Sequence, residues 1–150
     1  MHPTALKFQQ RARELGLEIE PQELAESTRT AQEAADAAGC ELGQIVKSVV
    51  LADGHGGHLL CLCAGDRRID LEALGGGVTM ARGKDVKEAT GYAIGGVPPL
   101  GHEQQLRTVV DRSLTRFETV WCAAGTPNAI FEVRLDDLLA AMPAAELRDI

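Results

Sequence analysis

Aromatic residues are scarce in this chain of 150 residues, which contains three Phe, one Trp and one Tyr. A core with so few rings must be built mainly from Ala, Val, Leu and Ile. No apolar run reaches 18 residues and no secretory signal pattern opens the chain, so the sequence favours neither a membrane partner nor export. We therefore expect a cytoplasmic protein that forms a single domain over residues 1–150.

Basic charge is also in deficit, because 15 Lys and Arg residues face 22 Asp and Glu residues, giving a net charge of -7. Polyanion affinity comes mainly from cations that neutralise phosphates, so we expect no DNA binding and at most a local nucleic-acid contact. One basic group interrupted by acidic residues is either that contact or an ordinary solvated surface. Its members are Arg67, Arg68, Arg82, Lys84 and Lys87.

Cysteine is limited to four residues, and a chain of this size needs no disulfides for stability. Cys61 and Cys63 form a C-x-C pair with His58 just upstream, which leaves a metal-binding domain as one interpretation. Structural zinc prefers two C-x(2 to 4)-C pairs, and Cys40 and Cys122 supply no second pair. The better interpretation is buried thiols, with no metal and no other cofactor.

Several catalytic and nucleotide-binding motifs are missing. The sequence has no G-x-S-x-G, no H-E-x-x-H and no trustworthy Ser-His-Asp order. Its clustered glycines do not form G-x-G-x-x-G, and Gly83-Lys84 is followed by Asp85 where a phosphate-binding loop needs Ser or Thr. These absences argue against NAD, ATP and a side-chain nucleophile.

Strand-like segments occur in runs, with helical segments before, between and after them. This order predicts an α+β fold with a mixed central β-sheet flanked by helices. The capping box Thr30-x-x-Glu33 and the stop at Gly39 mark one of the helices. The predicted helices are 4–15, 31–38, 70–74, 84–90 and 136–141, and the predicted strands are 17–20, 45–52, 58–64, 78–81, 108–111, 119–123 and 129–134.

Lys47 is exceptional on its predicted strand, because it shares a face with Ile45, Val49 and Leu51. An ammonium group on an apolar face must reach water, find an anion or lose its proton. Lys47 therefore either lines a cleft or extends its ammonium past the rim of the sheet. Ser48 points to the opposite face and has no obvious base partner.

Residues 91–102 contain four glycines and two adjacent prolines, which specify a backbone shape rather than a core. Gly95 and Gly96 permit positive φ, while Pro98 and Pro99 fix φ. The loop is either a rigid turn or a ligand site, whose free donors would be the N–H groups of Gly95, Gly96, Val97, Leu100 and Gly101. His102, directly after it, is either a general base or a surface histidine.

A second glycine-containing turn covers residues 123–128, between two predicted strands. Its small residues are suited to the floor of a pocket, with Asn128 offering both a donor and an acceptor. A plain β-turn formed by Pro127 and Asn128 explains the same residues. The turn alone does not decide between the two.

Together these segments resemble the YbaK/ProX family, free-standing relatives of the editing domain of bacterial prolyl-tRNA synthetase. The resemblance covers about residues 17–142. It is carried by three ordered motifs, which are much more specific together than any one alone. They are Gln44-Ile-Val-Lys-Ser48, Thr90-Gly-Tyr-Ala-Ile-Gly-Gly-Val-Pro-Pro-Leu-Gly101 and Trp121-Cys-Ala-Ala-Gly-Thr-Pro-Asn-Ala-Ile-Phe131.

The resemblance implies an aminoacyl-tRNA deacylase that removes a wrong amino acid such as Ala, Cys, Ser, Thr or 2-aminobutyrate, with tRNA for proline as the expected tRNA. The expected partners are the 3′ acceptor end of the mischarged tRNA and a prolyl-tRNA synthetase. Lys47 matches the family's strand lysine, which would hold the tRNA 3′ end, and Gly95 to Pro99 matches its G-x-x-x-P loop, which would position the ester. The implied catalytic residues are Lys47, Gly95 and Gly96, and the implied substrate-binding residues are Ser48, Ile94, Val97, Pro98, Pro99, Gly101, Gly125 and Asn128.

One position departs from the family pattern, since many relatives have His where this chain has Asn128. Backbone amides stabilise a developing oxyanion without a side-chain nucleophile, which agrees with the missing triad. The main alternative from the sequence is a non-catalytic module that binds tRNA or a synthetase through the same groove.

Overall fold

The computed structural model describes residues 1–26 and 30–150. Strands occur in runs with helices before, between and after them, as expected for an α+β fold, and short 3₁₀ turns connect some of these elements. Within the described residues the helices are α1 Pro3–Glu14, α2 Ala31–Ala38, α3 Gly83–Thr90 and α4 Leu135–Ala140. The strands are β1 Gln22–Glu23, β2 Val46–Ala52, β3 His58–Ala64, β4 Thr79–Met80, β5 Arg107–Asp111, β6 Thr119–Ala123, β7 Ala129–Arg134 and β8 Glu146–Arg148.

The larger sheet has the strand order β4-β2-β3-β5-β8. Its centre is the predicted hairpin, in which β2 and β3 run antiparallel with Lys47 opposite Cys63. β5 then pairs with β3 in parallel, and β8 pairs with β5 in parallel. The predicted α+β fold with a mixed sheet is therefore confirmed.

A smaller antiparallel sheet has the order β1-β7-β6. The sequence predicted a single sheet, because hydrophobic alternation identifies strands without showing which of them pair. The two sheets meet where Ile45, just before β2, forms a parallel bridge with Trp121 of β6. Beyond this bridge, β6 and the edge of β2 separate from each other. The candidate site lies between them.

Local signals predicted helix ends unevenly. The Thr30 hydroxyl accepts from the Glu33 N–H at the start of α2, and Gly39 ends the helix at a φ of +71°, both as predicted. The α1 cap was wrong, because the imidazole of His2 accepts from the Thr4 N–H in place of a Thr4 cap. In the described part of the chain, no helix is both long and apolar enough to cross a bilayer.

Two strand predictions need correction. Residues 17–20 do not form a strand, although Leu17 and Ile19 are buried, because their alternation places them against the core without a pairing partner. The strand of that region is instead β1, just after Pro21. The C-terminal strand β8 was not predicted, since only Leu147 among its three residues is apolar.

The central hairpin is buried on both faces, as its apolar sequence predicted. One face contributes Val50, Leu60 and Leu62 to the main core, which also contains Phe8 of α1. The other face contributes Leu51 and Cys61 to a smaller core beneath the 66–78 segment. Lys47 belongs to this second face, where it lies at the end of the apolar row.

Candidate active site

A cavity of about 300 Å³ opens where β2 and β6 separate, and we call it the Lys47 cavity. The strand lysine and the Gly/Pro loop meet here, because Lys47, Gly95 and Val97 all line it. Helix α2 contributes small residues to the lining, and β6 supplies a further wall. The remaining lining residues are Thr30, Ala31, Ala34, Ile45, Val46, Ser48, Val49, Ile94, Trp121, Cys122, Ala123 and Ile130.

The ammonium group of Lys47 is held by a backbone carbonyl. Its Nζ donates to the Arg67 carbonyl oxygen at 2.6 Å, and no salt bridge to a carboxylate forms within residues 1–26 and 30–150. Because an ammonium has three N–H donors, two remain for a ligand. The contact fixes the position of the charge at the wall of the cavity.

In the Gly/Pro loop, Gly95 takes a φ of +90°, a conformation that favours glycine. The Gly96 N–H already donates to the Ala93 carbonyl at 3.0 Å, so it is not the free donor that the sequence led us to expect. Gly96 instead permits close packing, because a Cβ there would lie 2.8 Å from the Gly125 oxygen. The amides of Gly95 and Val97 remain as the donors nearest the cavity.

The rest of the loop leaves the cavity. Ile94 stands at its lip with 59% of its surface exposed, whereas Pro98 is fully buried. Pro99 and Gly101 line a different cavity of about 510 Å³, shared with Arg11 and called here the His102 cavity. The sequence led us to expect that the whole loop lines one cleft. The paired prolines instead turn the chain into the core, so the end of the loop lines another cavity.

The turn after β6 touches the loop from behind. Gly125, at a φ of +101°, and Asn128 line a third cavity of about 460 Å³ on the other side of this turn. The Asn128 carbonyl accepts from the Leu24 N–H at 2.7 Å, which ties β1 to the turn. The sequence led us to expect one cleft formed by the loop and the turn. In the structure the turn supports the loop, but neither Gly125 nor Asn128 lines the Lys47 cavity.

No thiol in the cavity region is activated. Burial raises the pKa of Cys122, which lines the Lys47 cavity, and the side chain is only 1% exposed. Burial also raises the pKa of Cys61 to about 12 and that of Cys63 to about 11. A thiol is nucleophilic only as the thiolate, so these side chains act as small hydrophobic groups. No group of three metal-ligating side chains occurs in the described residues.

Four members of the basic group lie near the mouth of the Lys47 cavity, whereas the fifth, Lys87, lines the third cavity and donates to the Gly91 carbonyl. Arg67 contributes the carbonyl that binds Lys47, and Arg68 follows it. A Cβ on Gly83 would lie 3.5 Å from the Ile94 side chain at the lip, and Arg82 and Lys84 are the neighbours of Gly83 in the chain. All four cationic residues are exposed. Their placement suits contacts with an anionic ligand that enters the cavity.

His102 lies behind the loop and outside the Lys47 cavity. The sequence offered two interpretations, a general base or a surface histidine, and this position fits neither of them. Its Nε2 lies 2.7 Å from the Pro98 carbonyl oxygen. A carbonyl can only accept, so Nε2 carries the proton and donates. Burial lowers the pKa of His102, and this hydrogen bond offsets part of the effect. His102 thus helps to hold the Gly/Pro loop in place.

We expect stability to depend on His102 in acid. The lowered pKa keeps the folded ring neutral, so between the unfolded value of about 6.5 and the lower folded value only the unfolded chain gains a proton. The free energy of unfolding should then fall with decreasing pH by at most about 1.4 kcal/mol per unit from this group. Urea unfolding at pH 7.5 and 5.5 measures it, with H102Q as the variant that keeps a donor. Equal pH dependence in both proteins contradicts this assignment.

Sequence reasoning missed the walls of the cavity. Ala31 and Ala34 belong to α2, and their spacing on one helical face was visible, but nothing in the sequence showed which surface that face covers. Trp121 was recognised only as part of a motif. Its parallel bridge to Ile45 brings the two sheets together, and a contact between residues 76 positions apart leaves no local signal.

Comparisons with known proteins show which domains this chain is similar to. The family model described as the aminoacyl-tRNA editing domain matches residues 25–141. A solved structure described as a putative trans-editing enzyme for prolyl tRNA synthetase superposes with a TM-score of 0.92 at 42% identity, covering 99% of this chain and 97% of that one.

Two bacterial proteins are similar in sequence. The uncharacterized protein YwhH of Bacillus subtilis (strain 168) is 34% identical over 116 residues, which are 75% of this chain and 74% of that protein. EbsC of Enterococcus faecalis (strain ATCC 700802 / V583), described as a putative Cys-tRNA(Pro)/Cys-tRNA(Cys) deacylase, is 26% identical over 116 residues, or 74% of this chain and 71% of that protein.

Proposed function

Because the chain belongs to the aminoacyl-tRNA editing domain family and is an aminoacyl-tRNA deacylase, we propose that it acts in trans on mischarged tRNA for proline. The proposed substrate carries a small amino acid such as Ala, Cys, Ser, Thr or 2-aminobutyrate. The observation that carries the proposal is the meeting of Lys47 and Gly95 at one cavity of about 300 Å³ with walls of small residues. The proposed location of the reaction is the cytoplasm, together with its tRNA substrate.

The cavity suits a small side chain attached to a reactive ester. Ala31, Ala34 and Ala123 shape its walls, while Val97 and Ile130 supply apolar contacts. Such a pocket discriminates one methylene by only about 1–3 kcal/mol, so several small amino acids are expected to be hydrolysed at different rates. A bulky aromatic amino acid is expected to be excluded by the closeness of α2.

Two sets of hydrogen-bond donors act on the substrate in this proposal. The free N–H donors of Lys47 bind a phosphate or ribose oxygen of the tRNA 3′ end, which fixes the ester in the cavity. The backbone amides of Gly95 and Val97 donate to the ester carbonyl oxygen as it becomes negative. Amides held by a rigid loop stabilise that charge without reorganising, and the turn closed by the Gly96 N–H does not use the N–H of Gly95.

The reaction needs no covalent intermediate on the protein. A water molecule adds to the ester carbonyl carbon, and the bond from that carbon to the ribose oxygen then breaks. The ribose oxygen takes up a proton, so the products are the free amino acid and uncharged tRNA. No activated thiol lines the cavity, and a ribose hydroxyl next to the ester is the proposed group that orients the water.

The tRNA itself makes few charged contacts in this proposal. Arg67, Arg68, Arg82 and Lys84 at the cavity mouth bind acceptor-end phosphates, against a net charge of -7 that opposes wider binding. Affinity for tRNA alone is therefore expected to be weak and to fall steeply with salt. A prolyl-tRNA synthetase that holds the tRNA is the proposed protein partner.

The test is a deacylation panel under single-turnover conditions. One tRNA for proline carries Ala, Cys, Ser, Thr, 2-aminobutyrate, Phe or Pro, and each rate is divided by its uncatalysed rate. We expect acceleration for one or more small amino acids and none for Phe or Pro. The same panel on tRNA for alanine and tRNA for cysteine tests the choice of tRNA. A protein that protects every ester would be a binding module, and that result would overturn the proposal.

A further inference from the structure

The outer edge of β2 has a gap beside the Lys47 cavity. On the β3 side, the Gly65 N–H donates to the Ile45 carbonyl at 2.7 Å. On the opposite side, the Ala81 N–H donates to the Val50 carbonyl at 3.2 Å. Because backbone groups alternate along a strand, the N–H and carbonyl of Ser48 point away from β3, like those of Val50.

Among residues 1–26 and 30–150, no strand covers this stretch of edge. β4 pairs only with Leu51 and Ala52, and the smaller sheet bridges only to Ile45. In the part of the chain that the structure describes, Ser48 pairs with β3 alone. An edge with unpaired N–H and carbonyl groups is a template for a ligand that supplies complementary groups.

The Ser48 side chain adds a third unsatisfied group. Its Oγ is buried and has no hydrogen-bond partner among the described residues. A buried hydroxyl without a partner costs roughly 1–3 kcal/mol, so a ligand that pairs with it recovers free energy. Ser48 lines the Lys47 cavity, and the neighbouring walls are apolar. Its N–H, carbonyl and hydroxyl therefore form a local polar group in the cavity lining.

We propose that Ser48 binds the α-ammonium group of the esterified amino acid, with its carbonyl and its hydroxyl as the two acceptors. This inference rests on the proposed deacylase function and assigns a group of the substrate to a residue. The ammonium of a primary amino acid donates three hydrogen bonds, enough for both acceptors. The apolar walls then surround the side chain, and the ester lies toward Gly95.

The assignment explains how cognate prolyl-tRNA is spared. The proline ammonium keeps two N–H groups, which match the two acceptors in number, so the discrimination rests on Cδ of its ring, which occupies the third position. At the gap, Cδ would press against the edge of β2, just as a proline interrupts pairing at a strand edge. Ser48 therefore selects primary amines and rejects the secondary amine of proline, independently of side-chain size.

The first arm of the test changes only the amino group of the substrate. One tRNA for proline carries alanine, N-methylalanine or lactate, and each rate is divided by its uncatalysed hydrolysis rate because the three esters differ in lability. We expect kcat/KM to fall about tenfold or more for both analogues. Equal acceleration of all three overturns this inference while leaving the deacylase function intact. No acceleration of any small aminoacyl ester would instead refute the proposed function.

The second arm changes the protein. S48A should slow alanyl-tRNA hydrolysis about tenfold and shrink the alanine to N-methylalanine ratio at least about fivefold, since one acceptor is lost. Ser48→Thr keeps the hydroxyl and should restore the ratio. Ser113→Ala is the matched control, because its Oγ is also buried without a partner among the described residues but does not line the cavity. A ratio that Ser48→Ala leaves unchanged overturns the inference.

Discussion

Replacing Gly96 with alanine is expected to lower kcat/KM for deacylation about 100-fold and the free energy of unfolding by about 1–3 kcal/mol. A Cβ at this position would lie 2.8 Å from both the Gly125 carbonyl oxygen and Thr126 Cα. Both are backbone atoms, so neither swings aside as the tip of a side chain would. The loop and the turn must separate.

That separation would act on the site through Gly95. The Gly96 N–H closes a turn onto Ala93, and this turn holds Gly95 at the cavity with its φ of +90°. Misplacing a catalytic donor by about 1 Å costs about two orders of magnitude in rate. Loss of rate should therefore exceed what partial unfolding explains, which urea unfolding and single-turnover kinetics on the same preparations measure.

Gly76→Ala is the matched control for this substitution. No heavy atom lies within 4 Å of a Cβ built on Gly76, and its φ is not positive. Its stability should change by less than about 0.5 kcal/mol, and its activity should be unchanged. If Gly96→Ala behaves like Gly76→Ala, the packing of loop on turn is not what positions the donors.

The sequence predicted those parts of the fold that local chemistry determines. Runs that are apolar on both faces defined β2 and β3, and a capping box with a terminal glycine defined α2. These signals act within a few residues of one another, so one sequence is enough to show them. The separation into two sheets depends on the bridge between Ile45 and Trp121, which no local pattern specifies.

The site was predicted in its parts more than in its arrangement. The sequence identified Lys47 as a charge on an apolar face and Gly95 as a residue that permits positive φ. Both residues line one cavity. The motif residues Gly101 and Asn128 were expected to face the same cleft, but each lines a different cavity. Gly101 and Asn128 show that a motif residue can lie outside the cavity that its motif lines, and the sequence does not distinguish the two sides.

The second large effect is expected at Lys47. Lys47→Met keeps most of the aliphatic stem but removes the charge, and we expect it to reduce kcat/KM about 100-fold, since a charge-assisted hydrogen bond contributes about 1.5–3 kcal/mol. Single-turnover hydrolysis of the best small aminoacyl-tRNA measures the effect. Lys7→Met, at an exposed position on α1, is the control and should retain full activity.

A purely structural lysine would give a different pattern. The bond from Lys47 Nζ to the Arg67 carbonyl is exposed, so losing it should cost about 0.5–1.5 kcal/mol of stability with no change in how the rate depends on salt. A lysine bound to a phosphate at the tRNA 3′ end contributes to affinity, so its removal should weaken binding and reduce the slope of log affinity against log salt by about one. Lys47→Arg keeps the charge and should retain that slope while losing part of the rate, because the wider guanidinium does not fit the same position. Undiminished deacylation by Lys47→Met across the whole panel would remove Lys47 from the site, and the open edge at Ser48 would then have to bind and orient the ester with the Gly95 amide alone.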